Sequence, residues 1–204
     1  PSAALAESLA DSPIQRLDLD GRSTRAGTRP NVGSEGALAI FNGLAHPGTS
    51  LHELSLSYNT IELTGIFDIL LAANASLMTL NLSANHLSSA NGEEIGLGLT
   101  QNSTLTSLNL EGNSSLGSAG FQSLTNALVN TDARANRTLR HLDVTSCSIG
   151  AASTPRIMQL IQSSSLSSLV VHKNGIAADA LQEISEALEQ VGSQGISVRY
   201  EVQA

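Results

Sequence analysis

Aromatic residues and cysteine are scarce in this chain, and each scarcity excludes a class of protein. The 204 residues include three Phe, two Tyr and no Trp, so aliphatic side chains must fill the core. Cys147 is the single cysteine, which excludes an internal disulfide and a zinc site built on cysteines. A lone cysteine fits a reducing compartment, and we therefore expect a cytoplasmic protein.

Positive charge and long apolar runs are also missing. Ten Lys and Arg residues stand against 18 Asp and Glu, the formal net charge is -8, and Lys173 is the single lysine. Nucleic-acid binding needs clustered Lys and Arg, so we expect no nucleic acid partner. Because no run of about 18 apolar residues occurs, we expect no membrane-spanning helix. The first residues also lack the basic and apolar segments of a signal peptide.

Leucine, in contrast, is abundant, and its 31 residues recur in a fixed pattern. The pattern is Leu-x-x-Leu-x-Leu-x-x-Asn-x-Leu, with Ile or Val replacing some leucines. The five intervals between successive starts measure 37, 26, 28, 34 and 27 residues. Repetition at a nearly fixed period is the signature of a stacked repeat protein. The six copies start at Ile14, Leu51, Leu77, Leu105, Leu139 and Leu166.

These six copies resemble the leucine-rich repeat family in its long, ribonuclease-inhibitor-like subtype of about 28 residues. The resemblance covers nearly the whole chain. It implies an α/β solenoid, a right-handed βα horseshoe with a parallel sheet on the concave side and helices on the convex side. We expect one domain over residues 1–204, with about six to seven repeats, and interpret it as a fragment of a longer protein.

The chemistry of the spacing agrees with this architecture. Leu-x-Leu is strand alternation, which places both leucines on one face. The chain must turn three positions after the last leucine of Leu-x-Leu. We predict a buried side chain at this position that hydrogen-bonds backbone groups of its own and the next coil. We call this position the asparagine slot. Its occupants are Asn59, Asn85, Asn113 and Asn174, with the smaller Cys147 in the fifth repeat and Arg22, a departure from the pattern, in the first.

Apolar residues spaced i, i+4 and i+8 predict a helix in the second half of each repeat. We expect the small first residue to lie where the helix closely approaches the strand layer. After the last helix, predicted over 177–191, alternating apolar residues at 196, 198, 200 and 202 predict a final strand. The helical sets are Gly36-Ile40-Leu44, Gly120-Leu124-Leu128, Ser153-Ile157-Ile161 and Ala180-Ile184-Leu188, with looser copies at Gly65-Ile69 and Gly92-Ile95-Leu99.

Residues beside the strand leucines should face the concave side, and we predict that they form a groove for a protein partner. The groove is polar and mildly acidic, which favours a basic partner. Its candidate residues are Asp18, Asp20, Glu53, Tyr58, Glu111, His141, Asp143 and His172.

Extra residues in the first repeat, over 21–32, offer a second candidate contact. This loop contains Arg22, Arg25 and Arg29 and no acid, and guanidinium groups match carboxylates and phosphates. A longer fourth repeat adds Arg134 and Arg137 near 130–137. The sequence leaves open whether the groove or the arginine loop is the contact.

No arrangement of residues predicts catalysis. The five histidines come from different repeats, and no nucleophile is placed beside His141 and Asp143, so a hydrolase triad is unsupported. We expect no enzyme activity, cofactor, metal or small-molecule ligand. Five Asn-x-Ser/Thr sequons are attributed to chance in a chain with 29 Ser, and we expect none to carry a glycan. They begin at Asn74, Asn81, Asn102, Asn113 and Asn136.

The leading hypothesis is a non-catalytic protein-interaction scaffold within a larger assembly. This follows from the resemblance, because such repeats mostly serve as binding scaffolds. The main alternative is a regulator of an enzyme, since the subtype includes a GTPase-activating protein and a nuclease inhibitor. An enzyme domain elsewhere in a longer chain is a third reading. A cytoskeletal or flagellar setting fits the scaffold hypothesis, although no residue pattern specifies it.

Overall fold

Strands and helices alternate along the chain in the computed structural model, which describes residues 8–9, 12–22, 31–46, 48–129, 135–191 and 196–200. The strands are β1 Arg16–Asp18, β2 Glu53–Ser55, β3 Thr79–Asn81, β4 Ser107–Asn109, β5 His141–Asp143, β6 Ser168–Val170 and β7 Ser197–Arg199. The α-helices are α1 Gly33–Leu44, α2 Phe67–Ala73, α3 Ser89–Leu99, α4 Gly117–Val129, α5 Thr154–Ser163 and α6 Ala178–Val191. Within these residues no helix is both long and apolar enough to cross a membrane.

All seven strands lie in one parallel sheet, in the order of the sequence. The second leucine of each repeat pairs with its equivalent in the next, so that Leu54 is in register with Leu80 and Leu80 with Leu108. The predicted solenoid, with a parallel sheet on one side and helices on the other, is therefore confirmed. The last strand is confirmed by β7, whereas position 202 lies outside the described residues.

The core is a continuous aliphatic layer between the sheet and the helices. Leu80, Leu82 and Leu110 are fully buried, and the same cluster of buried residues runs from Leu9 to Ile196. Continuity of this kind is expected of stacked repeats, since one repeat cannot cover its own apolar face. Stability is consequently shared between neighbouring repeats.

One predicted helix face is wrong. In α2 the buried residues are Phe67, Leu70 and Leu71, whereas Ile69 is 62% exposed. The predicted pairing of Gly65 with Ile69 is wrong because the helix begins only at Phe67. Gly65 therefore precedes the helix and shares no helical face with Ile69. Ile69 is thus an outward-facing apolar residue.

The expected role of the helix glycines also needs correction. A Cβ atom on Gly92 would lie 2.5 Å from the carbonyl oxygen of Gly120, and one on Gly96 would lie 2.7 Å from that of Ser123. These glycines therefore approach the neighbouring helix and not the strand layer. They allow α3 and α4 to pack backbone against backbone.

Candidate functional site on the concave face

The residues flanking each buried strand leucine align in rows across the concave face, because the strands are parallel and in register. The first row is Arg16, Glu53, Thr79, Ser107, His141, Ser168 and Ser197. The second row is Asp18, Ser55, Asn81, Asn109, Asp143, Val170 and Arg199. A third row, just past the strands, is Asp20, Ser57, Ser83, Glu111, Thr145 and His172. Within it Ser57, Ser83 and Thr145 are buried, so these three side chains offer little surface to a partner.

Asparagine slots hold the chain where it leaves each strand. The Oδ1 atom of Asn85 accepts the backbone N–H groups of Asn59 and Ile61, both at 3.0 Å. Its Nδ2 atom donates to the carbonyl oxygens of Leu56 and Leu82, both at 2.9 Å. Similar bonds join Asn113 and Asn174 to their neighbouring coils. The slot prediction is confirmed for these asparagines, and their bonds fix the chain where the rows end.

Cys147 occupies the slot of the fifth repeat and is fully buried. Its Sγ donates to the Leu110 carbonyl oxygen at 3.1 Å, and its backbone N–H donates to Asn174 Oδ1 at 2.9 Å. Burial raises the pKa of the Cys147 thiol from 9.0 to about 12. The thiol is therefore a structural group and a poor nucleophile in the folded protein.

We expect Cys147 to react with a thiol reagent at pH 8 only as fast as the protein unfolds. The folded-state pKa lies above the unfolded one, so unfolding releases a proton between about pH 9 and 12. Stability contributed by the neutral thiol is complete below pH 9 and is lost as pH rises toward 12. Urea titrations at increasing pH should show this loss relative to Cys147→Ser, which has no thiol to ionise. Parallel pH curves, or fast labelling in native buffer, would contradict the assignment.

Arg22 leaves the buried slot of the first repeat and lies on the surface. Its backbone N–H donates to Asp20 Oδ1 at 2.7 Å, its Nε donates to Asp20 Oδ2 at 2.6 Å, and its guanidinium carbon lies 5.2 Å from the centroid of the Tyr58 ring. Burial alone would raise the pKa of Asp20, but the hydrogen bonds and charge of Arg22 lower it overall. Asp20 in turn raises the pKa of Arg22. The two side chains form a pre-set charged pair beside an exposed aromatic ring.

A cleft opens in the concave face beside this pair. Besides the pair of Arg22 and Asp20, the cleft contains a second ion pair, which joins Arg16 Nη1 to Glu53 Oε2 at 3.1 Å. The charges predicted for Asp20 and Glu53 are therefore already balanced by arginines within the chain. The cleft is lined by Arg16, Leu17, Asp18, Asp20, Arg22, Glu53, Leu54, Ser55, Thr79 and Asn81.

Three other predicted acids carry charge with no ion pair among the described residues: Asp18, Glu111 and Asp143. One oxygen of Asp18 accepts the Asp20 N–H at 3.1 Å, and one oxygen of Asp143 accepts the Thr145 N–H at 2.9 Å. These bonds restrain the carboxylates of Asp18 and Asp143 and leave the second oxygen of each available. Among the described residues of the rows, these three acids outnumber the one arginine without an ion pair, Arg199.

The predicted histidines do not assemble into a site. His141 is exposed in the first row, and His172 is half-buried in the third row. The His172 Nδ1 atom has no hydrogen-bond partner among the described residues. In the same part of the chain, no group of three or more His, Cys, Asp or Glu could hold a metal ion. Arg25, Arg29 and Arg134 lie outside the described residues, so the arginine loop is represented here by Arg22.

Sequence reasoning missed a second asparagine ladder. Asn102 is buried: its Nδ2 donates to the Leu71 carbonyl oxygen at 2.9 Å, and its Oδ1 accepts the Leu105 N–H at 2.7 Å. Asn74 and Asn136 are buried in the same way. These sequons therefore have a structural origin, where we had attributed them to chance. The signal was available, because each Asn stands three residues before the first leucine of a repeat.

Comparison with known proteins agrees with this geometry. The leucine-rich repeat family model matches residues 49–70, 101–124 and 135–152. The ribonuclease inhibitor of Sus scrofa is 30% identical over 136 residues, which are 65% of this chain and 28% of that protein. This chain thus spans about a quarter of that relative's length.

Two solved structures share the fold. One is described as leiomodin-1 actin-binding site 2, with a TM-score of 0.54, 16% identity and coverage of 94% of this chain and 89% of that one. The other is the tropomodulin C-terminal domain of Caenorhabditis elegans, with a TM-score of 0.51, 14% identity and coverage of 95% and 94%. At these identities they show the fold alone.

Proposed function

We propose that this chain, which belongs to the leucine-rich repeat family in its ribonuclease-inhibitor-like subtype, is a non-catalytic protein-interaction module that binds its partner on the concave face. The observation that carries the proposal is the seven-stranded sheet with aligned rows of polar side chains. At about 4.8 Å between strands, the described sheet spans about 29 Å. That is wide enough for a helix or a small domain.

The second row is preorganised for binding. Asp18, Asn81, Asn109 and Asp143 each accept a backbone N–H from the residue two positions on, at 2.8–3.1 Å. A side chain already held by such a bond loses little conformational freedom when a partner docks, so more of the contact energy contributes to affinity. Four of the seven second-row side chains are restrained in this way.

Charge on the face favours a basic partner. Asp18, Glu111 and Asp143 supply unbalanced negative charge, whereas Arg22 and Tyr58 form a fixed edge at one end of the cleft. Tyr and Arg are the residue types most often found at energetic centres of interfaces. We therefore propose that the partner places Lys or Arg against the acids and a flat apolar or aromatic group near Tyr58.

The test begins with affinity capture at moderate salt and mass spectrometry, followed by binding kinetics with the recovered partner. Recovery of a cytoskeletal or flagellar protein would also give the setting. The triple variant Asp18→Asn, Glu111→Gln, Asp143→Asn removes three charges, but Asn can still accept the backbone N–H groups. We expect association to slow several-fold at low salt and little at high salt, because exposed charges act mainly on the on-rate.

A matched control removes the same charge from another surface. Glu183, Glu186 and Glu189 are exposed acids of α6, and changing all three to Gln should leave association unchanged. Equal slowing of association in both triple variants would show that the effect comes from the net charge of the protein and not from the concave face. Unchanged kinetics in the concave variant would rule out the acidic face as the contact.

Inhibition or regulation of an enzyme is the second candidate, favoured by the 30% identity to a protein named ribonuclease inhibitor. It predicts a stoichiometric loss of ribonuclease activity when the chain is added to the enzyme. A GTPase-activating role would need an arginine free to reach a nucleotide, and Arg22, the arginine that the structure describes in the loop, is held by Asp20. An activity titration that shows no inhibition would remove the ribonuclease version.

A further inference from the structure

Two apolar side chains on the convex side are unusually exposed. Ile69 of α2 and Leu97 of α3 are 62% and 53% exposed, more than any other large apolar residue that the structure describes. Each lies five residues before a buried ladder asparagine, Asn74 or Asn102, so they occupy equivalent positions in successive repeats. Since α2 and α3 pack against each other, the two residues lie at equivalent positions of adjacent helices. We call Ile69 and Leu97, with the neighbouring acids Asp68, Glu93 and Glu94, the convex patch.

Grooves flank the convex patch on both sides. The groove between α1 and α2 is mainly apolar, and Ile69 forms one wall. A second groove lies between α3 and α4 and includes Leu97. An apolar groove can receive a helix whose apolar residues repeat at i, i+3, i+4 and i+7. The first groove is lined by Leu38, Phe41, Asn42, Ala45, Ile66, Ile69 and Leu70, and the second by Glu93, Gly96, Leu97, Thr100, Ser123, Asn126 and Ala127.

The helices that carry or precede these apolar residues are acidic, whereas Arg156 donates to Asn126 at 2.8 Å on the far side of the second groove. Helices α1, α2 and α3 contain Glu35, Asp68, Glu93 and Glu94 and no Lys or Arg. One carboxylate oxygen of Asp68 and one of Glu94 are buried without a hydrogen-bond donor among the described residues. The other Glu94 oxygen accepts the Gly65 N–H at 2.6 Å. The negative charge that a partner can reach is therefore presented mainly by Glu93, which is exposed, and by Asp68, which is half-buried.

We propose that the convex patch docks a basic amphipathic helix of a partner protein. Its apolar residues would cover Ile69 and Leu97, and its Lys or Arg side chains would meet Asp68, Glu93 and Glu94. This surface is separate from the concave face, and the proposal does not depend on the function proposed above. A module with both surfaces joins two proteins at once.

The negative charge of the convex patch favours a basic helix over a second copy of this chain and over a membrane surface. In a symmetric contact between two copies, the patch would bring its own acids against those of the second copy, and like charges in an interface are costly. An anionic membrane surface would be repelled in the same way. A helix that combines apolar and basic residues satisfies both features of the patch.

The test uses two labelled synthetic peptides with leucines at i, i+3, i+4 and i+7. Lysine fills the other positions in one peptide and glutamate fills them in the second. Fluorescence anisotropy should show binding of the lysine peptide and little binding of the glutamate peptide. The double variant Ile69→Ser, Leu97→Ser should weaken binding at least about tenfold, because it removes two large apolar contacts. Asp68→Asn with Glu93→Gln should weaken it several-fold at low salt.

Met78 provides the matched control. It is an apolar residue 49% exposed, directly before β3 and outside the patch, so Met78→Ser should leave binding unchanged. All these positions are at the surface or half-exposed, and thermal unfolding should confirm that the variants remain folded.

Several outcomes would overturn the proposal. The first is no binding of the lysine peptide to the unmodified chain, and the second is equal binding of both peptides. Wild-type affinity in the serine pair would exclude the patch. Loss of lysine-peptide binding in the concave triple variant alone would move the peptide to the concave face. A dimer in sedimentation that the serine pair abolishes would assign the patch to a second copy.

Discussion

Asn85→Ala is expected to lower the free energy of unfolding by about 3 kcal/mol or more. The side chain is 4% exposed and bonds backbone groups of two coils. Alanine leaves the N–H groups of Asn59 and Ile61 and the carbonyl oxygen of Leu56 without these partners. Each buried polar group stranded in this way costs about 1–3 kcal/mol. Urea denaturation followed by circular dichroism measures the change.

The control is Asn81→Ala in the same repeat. Asn81 is half-buried and bonds the Ser83 N–H and the Ser55 hydroxyl, at 3.0 and 3.2 Å. Water can replace these partners, so the loss should stay near 1 kcal/mol. Equal shifts in the urea midpoint for the two variants would show that the slot has no special role in stability.

Leu110→Ala should cost about 2–5 kcal/mol. Leu110 is fully buried between sheet and helices, and the stacked repeats on either side limit how far the cavity can collapse. Leu97→Ala makes the same chemical change on a residue that is 53% exposed, and its cost should stay near 0.5 kcal/mol, since surface changes are usually within about that range. A loss below about 1 kcal/mol for Leu110→Ala would mean that the strand register is wrong.

Sequence alone predicted the strands, the slots and most of the helices, because each is set by spacing within one repeat. The second and third leucines fix the buried face of a strand, and the Asn that follows fixes the turn. Ile69 was misassigned because the shortest helix has too few residues for a clear apolar period. Its buried set, Phe67, Leu70 and Leu71, is recognisable only once the start of the helix is known.

The candidate site was harder to predict because its charges interact across strands. The register places Arg16 beside Glu53, and the turn brings Arg22 to Asp20 and Tyr58. The sequence places Asp20 and Glu53 in the groove, but it does not show that two arginines already balance their charges. The sequons illustrate the same difficulty. An Asn-x-Ser/Thr motif can be examined as a glycosylation site although its Asn is needed for hydrogen bonds to the backbone.

The glycine contact between α3 and α4 determines how evenly the solenoid bends. Strands lie about 4.8 Å apart and packed helices about 8–10 Å apart, and this mismatch curves the stack. Where Gly92 meets Gly120, the helices come close and the mismatch is small, so we expect a flatter sheet over β3 and β4. A groove separates α1 from α2, and we expect greater curvature over β1 and β2. A partner of the concave face would then meet a surface whose radius changes along its length.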